Sequence, residues 1–150
     1  MASTKCETSG GGGRLLTLEL PASLRARIVA EARAAFPDEC CGLIVGERTG
    51  EAVRAVAVHP TANLAADPAA GFEIDPSAHI RLRCALRGTP RRIVGCYHSH
   101  PNGRAEPSER DRAAATGEED FVWIIAAVAG GEVSLKAFDG CAFAPVVLAR

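Results

Sequence analysis

No stretch of the sequence approaches the roughly 20 consecutive apolar residues that cross a bilayer. The opening MASTKCETSGGGGR has no apolar segment of the kind a secretory signal carries. A membrane partner is not expected, and the expected location is the cytoplasm. Concentrated positive charge is missing too. The net charge is −1, and the densest basic stretch, Arg91 and Arg92 with Arg87 nearby, reads as a solvated face, so nucleic acid is not an expected partner. There are six cysteines but no CxxC pair, which removes zinc ribbons and thioredoxin-like sites. Cys6 sits in the opening segment, Cys40 and Cys41 are adjacent, and Cys84, Cys96 and Cys141 are scattered. That spacing argues against a disulfide framework and for small buried hydrophobes in a reducing compartment. No internal repeat is present.

What is present suits one globular domain: 150 residues, 47% of them hydrophobic and 23% charged, enough to bury a core. Residues 1–13, rich in serine, threonine and glycine, are expected to form a flexible tail, and 14–150 the folded domain. Leu15 to Leu20 alternates as a first strand. Pro21 opens a helix where its missing N–H costs least. Leu24, Ile28, Val29, Ala32 and Phe36 give that helix one apolar stripe, and Pro37 ends it. Further strands are expected from about Cys41 to Val45, over AVRAVAVHP, at the short FEI segment and over RRIVGCYHSHP. The wholly apolar FVWIIAAVA is the expected central strand. After a Gly130-Gly131 turn come EVSLKAF and a closing FAPVVLA, with Pro145 suited to an edge. A second helix enters through Asp75-Pro76 and runs to about Arg87, its apolar face Ala78, Leu82, Ala85 and Leu86. SERDRAAATGEED reads as a short helix capped by Ser108. The connection over 60–71, with two prolines and a glycine, has a length that is often functional. Strands and helices mixed around one sheet make the fold α/β.

Two of only four histidines, His98 and His100, stand one residue apart in CYHSHP. Alternate residues of a strand share a face, so both imidazoles emerge together, their backbones roughly 6.6 Å apart. That suits two ligands on one metal, and it equally suits two hydrogen-bonded histidines at a strand end. Asp111, at the third helical position after Ser108, can fold back toward the strand end as a third, oxygen ligand. Two imidazoles and one carboxylate form a ligand set of catalytic zinc, with a fourth position open to water. The same segment also reads as a reciprocal cap between Ser108 and Asp111, and such a cap would aim the carboxylate. A zinc hydrolase further needs a general base. Glu39, in PDECCGLIVG at the mouth of an apolar strand, is the best candidate. Asp38 beside it is equally titratable, and residue chemistry alone does not choose between them.

Together, Glu39 followed by CCGLIVG, and then HSHPNGRAEPSERD, resemble the JAMM motif of the MPN metalloproteases: an upstream glutamate with His-x-His-Pro-x6-Ser-x2-Asp. Six residues separate Pro101 from Ser108, and two separate Ser108 from Asp111. The likeness extends to FVWIIAAV, and NLAADPAAGFEIDP is similar to the family's connection between its third strand and second helix. It covers essentially 14–150 and is nearest to the compact bacterial members. The resemblance implies a mixed β-sheet flanked by helices, similar to the zinc cytidine deaminases, whose own H-x-E with P-C-x-x-C is missing here. It implies one zinc ion (Zn2+) per chain on His98, His100 and Asp111. It also implies Glu39 as general acid/base on the zinc water, and Ser108 as a donor to the oxyanion.

Enzymes of this kind hydrolyse peptide or isopeptide bonds after the Gly-Gly tail of ubiquitin-like proteins. Only nine residues separate Asp111 from Phe121, which leaves no room for the larger insertion of the ubiquitin-chain enzymes. The resemblance therefore implies a ubiquitin-like sulfur-carrier protein as partner, trimmed to expose its C-terminal Gly-Gly. The 60–71 connection is expected to help hold the extended tail as an added strand. Two other readings stand beside this one: a non-catalytic MPN interaction module, and a peptidase of the same type acting on cell-wall or phage-tail peptides. Cys40 and Cys41, with Cys96, admit a redox brake beside Glu39, set against plain buried packing. The oligomeric state is not legible in the sequence.

Overall fold

The computed structural model describes residue 15 and residues 17–115 and 117–150; the expected tail over 1–13 lies outside them. The described chain runs β1 (Thr17–Glu19), α1 (Ala22–Ala35), β2 (Cys41–Thr49), β3 (Ala52–Thr61), α2 (Pro76–Ala85), β4 (Arg92–His100), α3 (Glu109–Ala114), β5 (Glu118–Ala129), β6 (Glu132–Gly140) and β7 (Pro145–Ala149). The strands are ordered β1-β3-β2-β4-β5-β6-β7. β4 pairs parallel with β5, and β1 pairs parallel with both β3 and β7. The other pairs are antiparallel, so the sheet is mixed, as expected.

α1 starts directly after Pro21 and ends ahead of Pro37, a residue with no N–H to extend a helix. Its Ile28 and Ala32 enter one core cluster with Leu18, Ile44, Val58, Tyr97 and Ile124. A second cluster, on the opposite face of the sheet, gathers Leu43, Cys96, Trp123, Ile125 and Phe138, with Leu82 of α2 packed against it. Helices thus flank the sheet on both sides. Gly42 is required between the layers: a Cβ there would lie 2.3 Å from the Tyr97 ring carbon Cζ. Gly130 and Gly131, at φ 58° and 83°, form the turn from β5 to β6, a conformation open to glycine at no steric cost.

Several local expectations are corrected. The first strand is only Thr17–Glu19. The FEI segment is not a strand but an isolated bridge between Ile74 and Asn63. α2 buries no residue fully, and Ala85 of its expected apolar face is exposed, because only Leu82 reaches the sheet layer. Pro145 is the first residue of β7, paired with Phe138 of β6 and ahead of the β1 pairing, which begins at Val147, so β7 as a whole is not an edge strand; a first residue can lack a ladder N–H at little cost. Cys40, Cys41, Cys84 and Cys96 are free thiols, whereas Cys141 is disulfide-bonded; sequence spacing does not report proximity in space. Among the described residues, no helix is long and apolar enough to cross a membrane.

Candidate metal centre

β4 brings the two histidines to the site. Its register against β2 shifts once near Ile44 and Val45, a bulge that resets which residues face which layer. Beyond it, Tyr97 points to the α1 side, where its hydroxyl donates to Glu31 Oε2 at 2.6 Å. Cys96, His98 and His100 alternate onto the other face. There His98 sits between Cys41 of β2 and Ile125 of β5, and His100 stands opposite Ala127. Pro101 ends the strand directly after His100.

The expected residues meet. His98 Nε2 lies 3.0 Å from His100 Nε2. Asp111 offers Oδ1 to His98 Nε2 at 3.1 Å and Oδ2 to His100 Nε2 at 3.2 Å. Glu39, His98 and His100 also place one potential ligand atom each within 4.8 Å of one another. All four residues are buried. Bonds of 2.0–2.1 Å from a tetrahedral ion imply ligand atoms about 3.3 Å apart, so the 3.0–3.2 Å cluster of two imidazole nitrogens and a carboxylate fits such an ion. His100 Nδ1 faces the Arg104 carbonyl oxygen at 2.7 Å. With the Nδ1 proton donated there, the Nε2 lone pair is left for the cluster. His98 is oriented differently. Its buried Nδ1 has no partner, and the ring is set by stacking on Phe72 at 4.2 Å and by the edge of Trp123 at 5.8 Å.

Asp111 is aimed by the first turn of α3, where it is the third helical residue. The Ser108 hydroxyl accepts from Asp111 N at 3.1 Å, and Asp111 Oδ2 accepts from Ser108 N at 2.8 Å, a complete capping box. Burial raises the Asp111 pKa, but hydrogen bonds from His100 and His98 outweigh it and hold the carboxyl well below its usual range. Burial lowers both histidines. For His98 it dominates and favours the neutral ring. For His100 the hydrogen bonds to Asp111 and to Arg104 reverse it, and the pKa is raised. The pair can therefore be loaded as two neutral rings, with protons competing chiefly at His100.

Of the two acidic candidates upstream, the structure brings Glu39 to the cluster; Asp38 is exposed. Burial pushes Glu39 up to about 7, the nearby His100 and Asp111 acting in opposite senses. A carboxyl poised there can take and return a proton near neutrality. Burial also pushes the Cys40 thiol up to about 11 and raises Cys41 and Cys96. These thiols hold little thiolate, which favours packing over a redox brake. The sequence reading missed Phe72, the Arg104 carbonyl and Asn63, whose amide reaches the Glu39 carbonyl. Phe72 was signalled only by the likeness of NLAADPAAGFEIDP to the family's connection, and Asn63 by that likeness and by the length of 60–71; no local pattern signals a carbonyl acceptor.

The family described as prokaryotic homologs of the JAB domain matches residues 21–139. A desampylase from Haloferax volcanii is 35% identical over 103 residues, covering 66% of this chain and 73% of that protein. A probable TtuB-protein conjugate cleaving protease from Thermus thermophilus is 33% identical over 145 residues, covering 92% of this chain and 88% of that protein. Among solved structures, a JAB1/MPN domain protein from Archaeoglobus fulgidus superposes with a TM-score of 0.56 at 20% identity, covering 89% of this chain and 97% of that one.

Proposed function

The chain belongs to the prokaryotic homologs of the JAB domain, compact members of the JAMM/MPN metallopeptidases, and on that premise we propose that it is a zinc-dependent isopeptidase. Its proposed substrate is a conjugate or C-terminal extension of a ubiquitin-like, sulfur-carrier-type protein, cut after the carrier's Gly-Gly tail. The observation that carries the reading is the meeting of His98 Nε2, His100 Nε2 and the Asp111 carboxylate within 3.0–3.2 Å, with Glu39 beside them. The names of the two relatives, a desampylase and a conjugate cleaving protease, support a ubiquitin-like carrier.

His98, His100 and Asp111 would hold the zinc. Asp111 touches both imidazoles at 3.1 and 3.2 Å, which suits a ligand, whereas Glu39 is left free for proton transfer. When bound, zinc supplies Lewis acidity that acidifies water and polarises a scissile carbonyl. Glu39, with its pKa raised by burial to about 7, takes the proton of the attacking water and returns it to the leaving amine. Ser108 is exposed at the start of α3. Its oxygen already accepts from Asp111 N, so its O–H proton is available for the oxyanion that develops on the substrate. Gly71, which ends the 60–71 connection, and the following Phe72 share a pocket with Arg110 and Asp111; on this reading that pocket wall would take the extended glycine tail.

The test is cleavage of two substrates by zinc-loaded protein: a carrier extended beyond Gly-Gly, and a carrier joined through Gly-Gly to a lysine amine. Mass spectrometry is expected to show release at the Gly-Gly carboxyl, abolished by a chelator and by Glu39→Gln. No cleavage of either substrate at stoichiometric enzyme overturns the reading.

A further inference from the structure

Asn63 stands where the chain leaves β3, and every hydrogen-bonding position of its side-chain amide is filled. Nδ2 donates to the carbonyl oxygens of Glu39 and Gly71, both at 3.0 Å. Oδ1 accepts from the backbone N–H groups of Ala65 and Glu73, both at 3.0 Å. One side chain therefore ties the two arms of the 62–75 connection to each other and both to Glu39. Glu39 precedes β2, whose ladder pairing starts at Cys41, so no strand holds it. Its N–H instead donates to the Pro68 carbonyl at 2.8 Å, and its carbonyl accepts from Asn63. Both backbone groups of Glu39 are thus bonded to this connection. The next residue is held otherwise: Cys40 N donates to Ser99 Oγ at 2.8 Å, and Cys40 O accepts from Ser99 N at 3.1 Å. His98 and His100 lie inside β4, and Asp111 is fixed by its own capping box.

We propose that Asn63 is a positioning residue for Glu39: it fixes the backbone from which the base projects and couples that aim to the 62–75 connection. The catalytic part of this proposal rests on the peptidase reading above; the structural part does not. Asn63→Asp keeps an acceptor for Ala65 and Glu73 but removes the donor to Glu39 and Gly71, whereas Asn63→Ala removes both.

The experiment combines amide hydrogen exchange with steady-state kinetics on folded, zinc-loaded variants. In both variants the Glu39 amide is expected to exchange at least about tenfold faster than in wild type, while the Ala65 and Glu73 amides stay protected in Asn63→Asp only. Both variants are expected to lose about 10- to 100-fold in kcat, with KM and zinc stoichiometry little changed. In a Glu39→Gln background, Asn63→Ala is expected to cost less than about threefold more, because its effect passes through the residue already removed. Wild-type Glu39 exchange in both variants overturns the proposal, whether or not any substrate is cut. So does wild-type kcat in Asn63→Asp, or a loss that multiplies in the double variant. If wild type cuts nothing while Glu39 exchange rises as expected, the peptidase reading fails and the structural tie stands.

Discussion

His100 Nδ1 lies 2.7 Å from the backbone oxygen of Arg104, and this contact directs the other ring nitrogen to Asp111 and His98. Replacing His100 removes a nitrogen that faces both. His100→Ala is expected to fold but to lose zinc on dialysis, read by metal analysis beside wild type. Proton competition has a matching sign. His100 is raised by Asp111 and Arg104 against the effect of burial, and a ligand must be deprotonated to bind. Because the His100 pKa is raised, zinc affinity is expected to fall as pH drops, beginning above about 6.5, the ordinary imidazole value. An affinity flat from about pH 5 to 8 contradicts this assignment.

Glu39→Gln separates loading from turnover. The variant is expected to keep zinc and to lose about 10²- to 10⁴-fold in kcat. Wild-type kcat/KM is expected to fall on the acid side of about pH 7, where Glu39 becomes protonated. Stability runs the other way. Burial raises the folded pKa above the ordinary 4.5, so the stabilising contribution is full below that value and is lost as pH rises through about 7. In the zinc-free protein at pH well above 7, Glu39→Gln is expected to be more stable by up to about 3 kcal/mol. Denaturant unfolding at acid and alkaline pH reads the difference.

Gly42 and Tyr97 make a steric prediction on the other face. A Cβ at Gly42 would stand 2.3 Å from the Tyr97 Cζ and hydroxyl oxygen. Gly42→Ala must displace the ring and its bond to Glu31. A loss of about 1–3 kcal/mol is expected from overpacking, measured by chemical denaturation. An unchanged midpoint removes the ring from that position.

The thiols divide by exposure. Cys84 is exposed, Cys41 and Cys96 are buried, and Cys40 is partly buried with its thiol pushed up to about 11. Of these four, only Cys84 is expected to react quickly with iodoacetamide in the native protein. Peptide mapping identifies the site, and cleavage by zinc-loaded enzyme is expected to survive the treatment. Rapid labelling of Cys40 or Cys41 with loss of activity would restore the redox reading.

The parts of the site that sequence made legible are those written in short periods. His98 and His100 share a face because strands alternate, and Ser108 and Asp111 cap each other because three residues span the first helical turn. What stayed hidden is non-local or carried by backbone. Glu39 is tied to Asn63 and Pro68, more than twenty positions away, and the carbonyl of Arg104 has no residue signature. Phe72, Glu73 and Ile74 alternate like a strand, yet Phe72 is used to stack on His98. Closure of the sheet by the three residues of β1 was equally invisible, since it depends on partners far along the chain, at 52–54 and 147–149.

The capping box at α3 has a thermodynamic consequence. α3 has six residues, far fewer than a helix needs to persist unaided in water. Its N-terminus is closed by the same Asp111 carboxylate that faces the two imidazoles. An ion held by that carboxylate is therefore linked to the ordering of residues 109–114, and local folding and loading share one free energy. A chelator should act on this corner as a denaturant does, loosening α3 while the sheet beneath it keeps its shape.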